Sequence, residues 1–585
     1  MNTLGEVLLK AAAFRNPRLL RMSRDGKEQT LSNDQFLQAV HRVALALIRR
    51  GVSKGDLVAI LSENRPEWMV ADLGITLAGG VTVPLYMNLL APQVAQILKD
   101  ARPRLLFAST PEQAGKVREA FGPDGHDAPE IILLDPPPGA VVEHSWERFL
   151  ASGAPTAADP SAEDLAARQS PGDLASVLYT SGTTGEPKGV CLTHRNLTGA
   201  IPVMPLLGAL PGRDVVLSFL PLAHIFGRTV DIGFLSQGGS ICYAPSLDHL
   251  GEDLKRHHPT VFAAVPRIFE KAYAAVQERI QSSPPWRRKL ARACLAAAAR
   301  RLASKASLLD GLMILLGDRL IFRRVRLGLG GRLRIAISGG APLAPDILGF
   351  FLSIGVPIYE GYGLTEAAVL TVNLPGRLRL GSVGPAIPGV TLSIAPDGEV
   401  LAKGQVVMKG FRRSELDREA IDDQGWFHTG DLGRLDDDGF LFITGRKKEL
   451  MKTSGGKYIA PSALEQRLMT LPFTAQALAV ADGRAYPAAL LVPNPVVLRK
   501  ALMDLGLGEA PAAVLCADPR VLAWVEAQIE KAMEDLPRYE RVKRVALIPE
   551  PFTVEAGELT PTLKMKRAVI LKKYAAQVEG IYARD

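Results

Sequence analysis

Short apolar runs separated by polar, glycine-bounded helical stretches organise about the first 170 residues. Leu57-Val-Ala-Ile-Leu61 is a strand candidate, and Pro66 opens a helix that runs to about Ala78. Gly79-Gly80 stop that helix, and Val81-Thr-Val-Pro-Leu85 returns as a second strand. The pattern predicts a βαβ unit, right-handed and with parallel strands. Asn64-Arg-Pro-Glu-Trp68 sits where the first strand feeds the helix and reads as a helix start. Around Pro136-Pro-Pro-Gly139 and from Ala151 to Pro171 the chain is rich in Pro, Ala, Gly and Asp, which predicts a surface connection.

Ala175 to Tyr179 predicts a further buried strand, breaking into the loop Thr180-Ser-Gly-Thr-Thr-Gly-Glu-Pro-Lys-Gly189. Glycines let backbone N–H groups turn towards an anion, and hydroxyls and a lysine add donors and charge, so such a loop suits a polyphosphate. It is not a Walker A loop: the spacing from Gly182 to Lys188 differs, and Gly189 stands where Ser or Thr should follow the lysine. Strand followed by polar loop recurs at Arg334-Ile-Ala-Ile-Ser-Gly-Gly-Ala-Pro-Leu343 and at Val356-Pro-Ile-Tyr-Glu-Gly-Tyr-Gly-Leu-Thr-Glu366. Ligand groups in open parallel sheets gather at the carboxyl ends of strands. Exits after Tyr179, Ile337 and Tyr359 are therefore expected to line one cleft. Nearer the C-terminus, Leu478 to Val480 and Ala488 to Val492 predict strands. Asp518 predicts an N-cap, with Pro519 at the first helical position and an end near Leu536.

A chain of 585 residues exceeds one ordinary core, so two or more domains are expected. Its 47% hydrophobic and 22% charged residues describe a globular protein. No apolar run reaches the roughly 18 residues of a membrane span. The N-terminus lacks a basic segment followed by an apolar one, and four scattered cysteines lack metal-ligand spacing. A cytoplasmic location is the expectation. The net charge of +8 favours anionic partners, but zinc-finger spacing, an RNP-like strand and a basic tail are missing, so nucleic acid is not expected.

Residues 281–334 stand apart. Arginines and lysines from Arg287 to Arg326 interleave with Leu295, Leu302, Leu308-Leu309 and Met313-Ile-Leu-Leu316 at roughly helical spacing. Two readings fit the 284–326 stretch: a helix lying on anionic lipid, making peripheral membrane contact, or a helix packed on the domain with its charges in water.

Thr180-Ser-Gly-Thr-Thr-Gly-Glu-Pro-Lys-Gly189 resembles the phosphate-loop signature of the adenylate-forming superfamily: acyl-CoA synthetases, luciferases and peptide-synthetase adenylation domains. Pro221-Leu-Ala-His224, Gly339-Gly340-Ala341-Pro342, Gly361-Tyr-Gly-Leu-Thr-Glu366, Gly425 to Gly433 and Gly439 to Glu449 match further motifs in the expected order. So do Lys452 to Pro461 and Gly557 to Arg567. Val265-Pro-Arg-Ile-Phe-Glu-Lys271, Ser338 to Leu343, Gly445 to Glu449 and Ser454 to Tyr458 look most like the bacterial long-chain acyl-CoA synthetases. Phe411-Arg-Arg-Ser-Glu-Leu-Asp417 departs from the usual tyrosine, Asn-Pro-Glu and threonine run.

The resemblance implies an α/β fold with a large N-terminal domain of stacked α/β sheets and a β subdomain (1–446), binding ATP and the acyl group. A small mobile α+β domain (447–585) would follow. It implies ATP, Mg²⁺ and coenzyme A as cofactor or co-substrates, and a fatty acid as the group activated. Thr180, Ser181, Gly182, Thr183, Thr184, Gly185 and Lys188 would hold phosphates, with Thr184 and Glu366 at the metal. Gly339, Gly340, Ala341 and Pro342 would form the adenine turn, and Tyr362, between Gly361 and Gly363, would pack on adenine. Thr365 would contact the α-phosphate, and Asp431 and Arg446 the ribose. His224, with Gly340, would position the acyl substrate. Lys448 would be the hinge, while Gly455 and Lys457 lie on the loop brought in for thioester formation. Lys564 would be the mobile catalytic lysine, with Lys566 and Arg567 as nearby alternatives. The implied reaction is acyl-adenylate formation followed by transfer to coenzyme A. Two other readings are a ligase that hands the adenylate to a carrier protein, and a catalytically silent acyl- or nucleotide-binding homologue.

Overall fold

Leu57–Leu61 and Val81–Leu85 lie side by side as parallel strands, joined by the helix Pro66–Leu77. Every residue of both strands is buried, as in sheets covered on both faces. These features come from a computed structural model describing residues 1–24, 27–122, 128–137, 144–181, 187–244, 249–416, 420–502, 510–553, 556–560 and 565–583. Among them, the first sheet has seven strands. Its order is Gly410–Phe411, Pro187–Thr193, Leu174–Ser181, Val81–Leu85, Leu57–Leu61, Leu105–Ala108 and Glu130–Leu133. The expected surface connection contains two short helices, Trp146–Ser152 and Ala162–Ala167, because Phe149 and Leu165 find buried positions there.

A second sheet of eight strands carries Val215–Ser218, Val261–Ala264, Ile335–Ser338 and Ile358–Tyr362 at and beside its centre. The three expected strand exits therefore leave two different sheets. A four-stranded antiparallel sheet (Val390–Ile394, Glu399–Gly404, Phe427–Leu435, Leu441–Arg446) follows. After the short turn Lys447–Glu449, two hydrophobic clusters draw only on residues between 451 and 581. They enclose Thr474–Val480, Ala488–Pro493 and Arg544–Leu547. Asp518 caps Pro519–Ala532 as expected, although that helix ends four residues before Leu536.

A buried polar network joins the helices of the two large sheets. Arg228, on the helix Ile225–Leu235, donates to both carboxylate oxygens of Asp72 at 2.9 and 2.6 Å and to the Ser176 hydroxyl at 2.7 Å. Thr82 donates to Asp72 at 2.7 Å, and Arg228 and Asp72 are both inaccessible to solvent. Removing one partner strands a charge in the interior, at a cost of about 3–5 kcal/mol. Asp72→Ala is thus expected to lower the melting temperature sharply. Asp72→Leu combined with Arg228→Met is expected to melt above either single variant. A double variant whose loss equals the sum of the two single losses would show that the pair carries no coupling.

Candidate active site

Strand ladders bring the site residues together. Leu174–Ser181 and Pro187–Thr193 pair as an antiparallel hairpin with Thr180 opposite Lys188. Pro187-Lys188-Gly189 belongs to the returning strand and not to the loop expected there. Gly182, Thr183, Thr184 and Gly185 lie outside the described residues, and nothing is described of the Ser181 side chain. The Lys188 ammonium stands 5.8 Å from the centre of the Phe411 ring. Phe411, in the run that departs from the family pattern, pairs with Val190, and Arg412 N–H donates to the Gly189 carbonyl at 2.8 Å. The changed sequence keeps this edge of the sheet closed.

The returning strand lies against the turn Thr365–Ala367. Burial pushes the Glu366 carboxyl above the usual carboxylate range, offset in part by the positive charges of Arg446 and Lys188. Among the described residues Glu366 makes no ion pair. A half-buried carboxyl near Lys188 fits a hard divalent cation, since Mg²⁺ is commonly held by one or two carboxylates plus substrate phosphates.

Asp431 and Arg446 are direct partners in the ladder between Phe427–Leu435 and Leu441–Arg446. Arg446 Nε donates to Asp431 Oδ1 at 2.8 Å, and the Tyr362 hydroxyl donates to Oδ2 at 2.7 Å. Burial together with the Asp431 charge holds the Tyr362 phenol protonated, which makes it the donor. Asp431 is buried and Arg446 half-exposed. The strand Ile358–Tyr362 runs through Glu360 and Gly361 to Tyr362, further than the sequence pattern suggested. At Gly363 a Cβ would come within 2.0 Å of the Ala368 carbonyl oxygen, so only glycine fits.

Tyr362, Gly361, Gly363, Gly340, Ala341, Pro342, His224, Asp431 and Arg446 all line one cavity of about 1170 Å³. That volume exceeds a typical single-ligand pocket of roughly 300–1,000 Å³ and leaves room for two substrates. Gly339 faces a smaller apolar pocket beside it, lined by Met204, Leu207 and Val230 and sharing His224 and Tyr362. His224 caps the helix Ile225–Leu235 by accepting from Phe226 N–H at Nδ1, 3.1 Å away. The proton is thereby assigned to Nε2, giving the ring a donor suited to a carboxylate.

The opposite wall comes from the last 140 residues. Leu559, Met565 and Arg567 line the cavity, as do Glu449 and Glu465. Lys564 lies outside the described residues, between Leu559 and Met565, which form an isolated bridge. Arg567 is committed elsewhere: it donates to Glu465 at 2.5 Å and to the Ala479 carbonyl at 2.6 Å. Lys448 sits exposed on the Lys447–Glu449 turn. Gly455 and Lys457 are not among the cavity-lining residues, and the Lys457 ammonium stands 5.7 Å from the Tyr539 ring centre.

Glu360 is a lining residue the sequence pattern hides, because it occupies a buried strand position. It accepts from Leu343 N–H at 3.1 Å through Oε1, Oε2 lacks a hydrogen-bond partner among the described residues, and burial pushes its carboxyl up to about 7. A charged residue directly ahead of the Gly-Tyr-Gly motif was the available signal. Arg267 and Glu270, paired at 3.3 Å, also line the cavity.

The family model described as AMP-binding enzyme matches residues 9–412, and the one described as AMP-binding enzyme C-terminal domain matches 448–585. The chain is 36% identical over 576 residues to the long-chain-fatty-acid–CoA ligase FadD15 of Mycobacterium tuberculosis, covering 96% of this chain and 94% of that protein. It is 31% identical over 579 residues to the peroxisomal long chain acyl-CoA synthetase 7 of Arabidopsis thaliana, covering 92% and 80%. Among solved structures, the anthranilate CoA ligase AuaEII with anthranoyl-AMP superposes with a TM-score of 0.72 at 20% identity, covering 99% and 98%. The adenylation domain of a Mycobacterium chelonae carboxylate reductase gives 0.75 at 23%, covering 99% and 91%. At these identities the structures speak for the fold.

Proposed function

The chain belongs to the AMP-binding enzyme family, and on that premise we propose that it joins a fatty acid to coenzyme A through an acyl-adenylate, consuming ATP. The observation carrying this reading is the single cavity on which Tyr362, the Gly340-Ala341-Pro342 turn, the Asp431–Arg446 pair and His224 converge. In this reading Tyr362 packs on adenine and Asp431 accepts from the ribose hydroxyls. His224 donates from Nε2 to the fatty carboxylate and aims it at the α-phosphorus.

Carboxylate and polyphosphate repel each other, so the chain must supply positive charge at fixed positions. Lys188, the backbone N–H groups of the 182–185 segment and Lys564 serve that end, and Thr365 contacts the α-phosphate. Thr184 and Glu366 would hold Mg²⁺, which when bound neutralises phosphate charge. A carboxylate oxygen attacks the α-phosphorus and pyrophosphate leaves. The thiol of coenzyme A, losing its proton to solvent, then attacks the acyl carbonyl, and AMP leaves with the bonding electrons.

We assign residues 1–446 and 447–585 to two domains that turn about Lys448, and two observations support the assignment. Hydrophobic clusters segregate on either side of that turn, and the cavity wall holds Met565 and Leu559 but neither Gly455 nor Lys457. The present posture suits the first half-reaction, and the second needs the domain to swing. The test is AMP release with fatty acids from C4 to C18, with coenzyme A against acyl carrier protein as acceptor. Thioester formation on coenzyme A is expected. Transfer only to the carrier protein, or no carboxylate-dependent AMP release, would overturn the reading. Among the described residues, no helix is long and apolar enough to cross a membrane. Peripheral lipid contact through the 284–326 stretch belongs to the same proposal, supported by leucines that this stretch exposes.

A further inference from the structure

The helices Pro285–Leu302 and Leu308–Gly317 pack against each other, and the second continues without a break to Gly328. The packed face is unambiguous. Asp310, Gly317 and Phe322 are buried, and a Cβ on Gly317 would come within 2.8 Å of both Phe322 and Cys294. Asp310 caps its own helix through Ser307 and pairs with Arg300, while Asp318 pairs with Arg326 at 2.6 Å. With that side fixed, the leucines point the other way. Leu308, Leu309, Leu312 and Leu315 are between 66% and 97% exposed, and Leu320 and Leu327 are exposed further along. Leu308, Leu312, Leu315, Arg319 and Arg323 follow one another three or four residues apart and so share a face.

Charge decides what such a face can meet. Residues 284–328 hold eleven arginines and lysines against two aspartates, an excess of nine that outweighs the +8 of the whole chain. Both aspartates are already paired with arginines of the same segment. A second copy docking leucine face to leucine face would bring two such cationic collars together, since a two-fold interface is self-complementary. A protein partner is usually gripped by buried aromatic anchors, and this crest is aliphatic apart from Trp286, beside Arg287. Aliphatic side chains flanked by arginines suit a lipid surface, the former entering the acyl boundary by about 5–10 Å and the latter reaching headgroup phosphates.

We propose that residues 308–328, braced by the helix Pro285–Leu302, form a docking face that seats the enzyme on anionic bilayers. The proposal deepens the peripheral-contact part of the functional reading and is independent of the chemistry assigned to the cavity.

The experiment is flotation of the full chain with vesicles of phosphatidylcholine alone or mixed with phosphatidylglycerol. The wild type is expected to float with the anionic vesicles only. Leu308→Ser/Leu312→Ser/Leu315→Ser should reduce the bound fraction relative to free by at least about tenfold, as loss of three inserted leucines requires. Arg319→Gln/Arg323→Gln/Arg324→Gln should weaken binding and flatten its salt dependence. AMP release with octanoate, which reaches the enzyme from water, should stay near wild type in both variants. Wild-type protein that ignores anionic vesicles overturns the proposal, as do variants that float like the wild type. A wild-type dimer that the leucine variant splits, with no vesicle binding, assigns the face to self-association instead. Flotation without any AMP release would sink the catalytic reading and leave this one standing.

Discussion

Lys564→Ala is expected to reduce fatty-acid-dependent pyrophosphate exchange by about 10²–10³-fold while thioester formation from supplied acyl-adenylate and coenzyme A stays near the wild-type rate. The split follows from where the flanking chain lies. Leu559 and Met565 line the same cavity as Tyr362 and Asp431, so the segment between them can deliver a cation to the nucleotide. Lys564 itself lies outside the described residues, but its basic neighbour Arg567 is already spoken for, holding Glu465 and the Ala479 carbonyl. Arg567→Ala should therefore act on stability of the small domain, lowering its melting temperature, with a smaller and unselective effect on the two half-reactions. Equal loss of both half-reactions in Lys564→Ala would remove the lysine from the adenylation step. Selective loss of exchange in Arg567→Ala would transfer the role to the arginine.

The motifs at 339–342 and 361–366 were legible because each lies at a strand end, where glycine and polar residues interrupt an apolar run. The βαβ unit of Leu57–Leu61, Pro66–Leu77 and Val81–Leu85 reads directly from such a run, with only the helix end shifted by one residue. Other features depend on pairing that no local pattern encodes. Asp431 beside glycines looks like a turn former, yet it sits inside Phe427–Leu435 because Arg446 is its ladder partner. Pro187-Lys188-Gly189 looks like loop and becomes strand because Leu174–Ser181 offers a free edge. Glu360 left only the faint signal of a charge ahead of Gly-Tyr-Gly: its strand is otherwise apolar, and its carboxyl matters only once Leu343 and the cavity close around it. The Pro/Ala-rich connection hid two helices because their buried residues, Phe149 and Leu165, are too few to set a period. The leucines at 308–315 carried a helical period from the outset, but only the packing of Gly317 against Cys294 decides that they face outward.

Asp431→Ala should raise the KM for ATP by about 10²-fold with a smaller change in kcat, since a ribose contact is made equally in ground and transition states. The carboxylate has two oxygens with four acceptor directions. Arg446 Nε takes one at 2.8 Å and the Tyr362 hydroxyl another at 2.7 Å, which leaves one on each oxygen for the two ribose hydroxyls. Charged hydrogen bonds contribute about 1.5–3 kcal/mol each, so losing the pair reaches the stated range even after water replaces part of it. Tyr362→Phe removes only the orienting donor and should cost roughly tenfold or less. The decisive control is 2′,3′-dideoxy-ATP, which lacks both hydroxyls. With it, wild type and Asp431→Ala should differ little, because the interaction that distinguishes them no longer exists. Arg446 is half-exposed and can rehydrate when its partner goes, so general unfolding is not the expected cause of the defect. If the gap between wild type and variant persists undiminished with the dideoxy nucleotide, Asp431 serves to hold Arg446 and Tyr362 in place, and the ribose is bound by other groups.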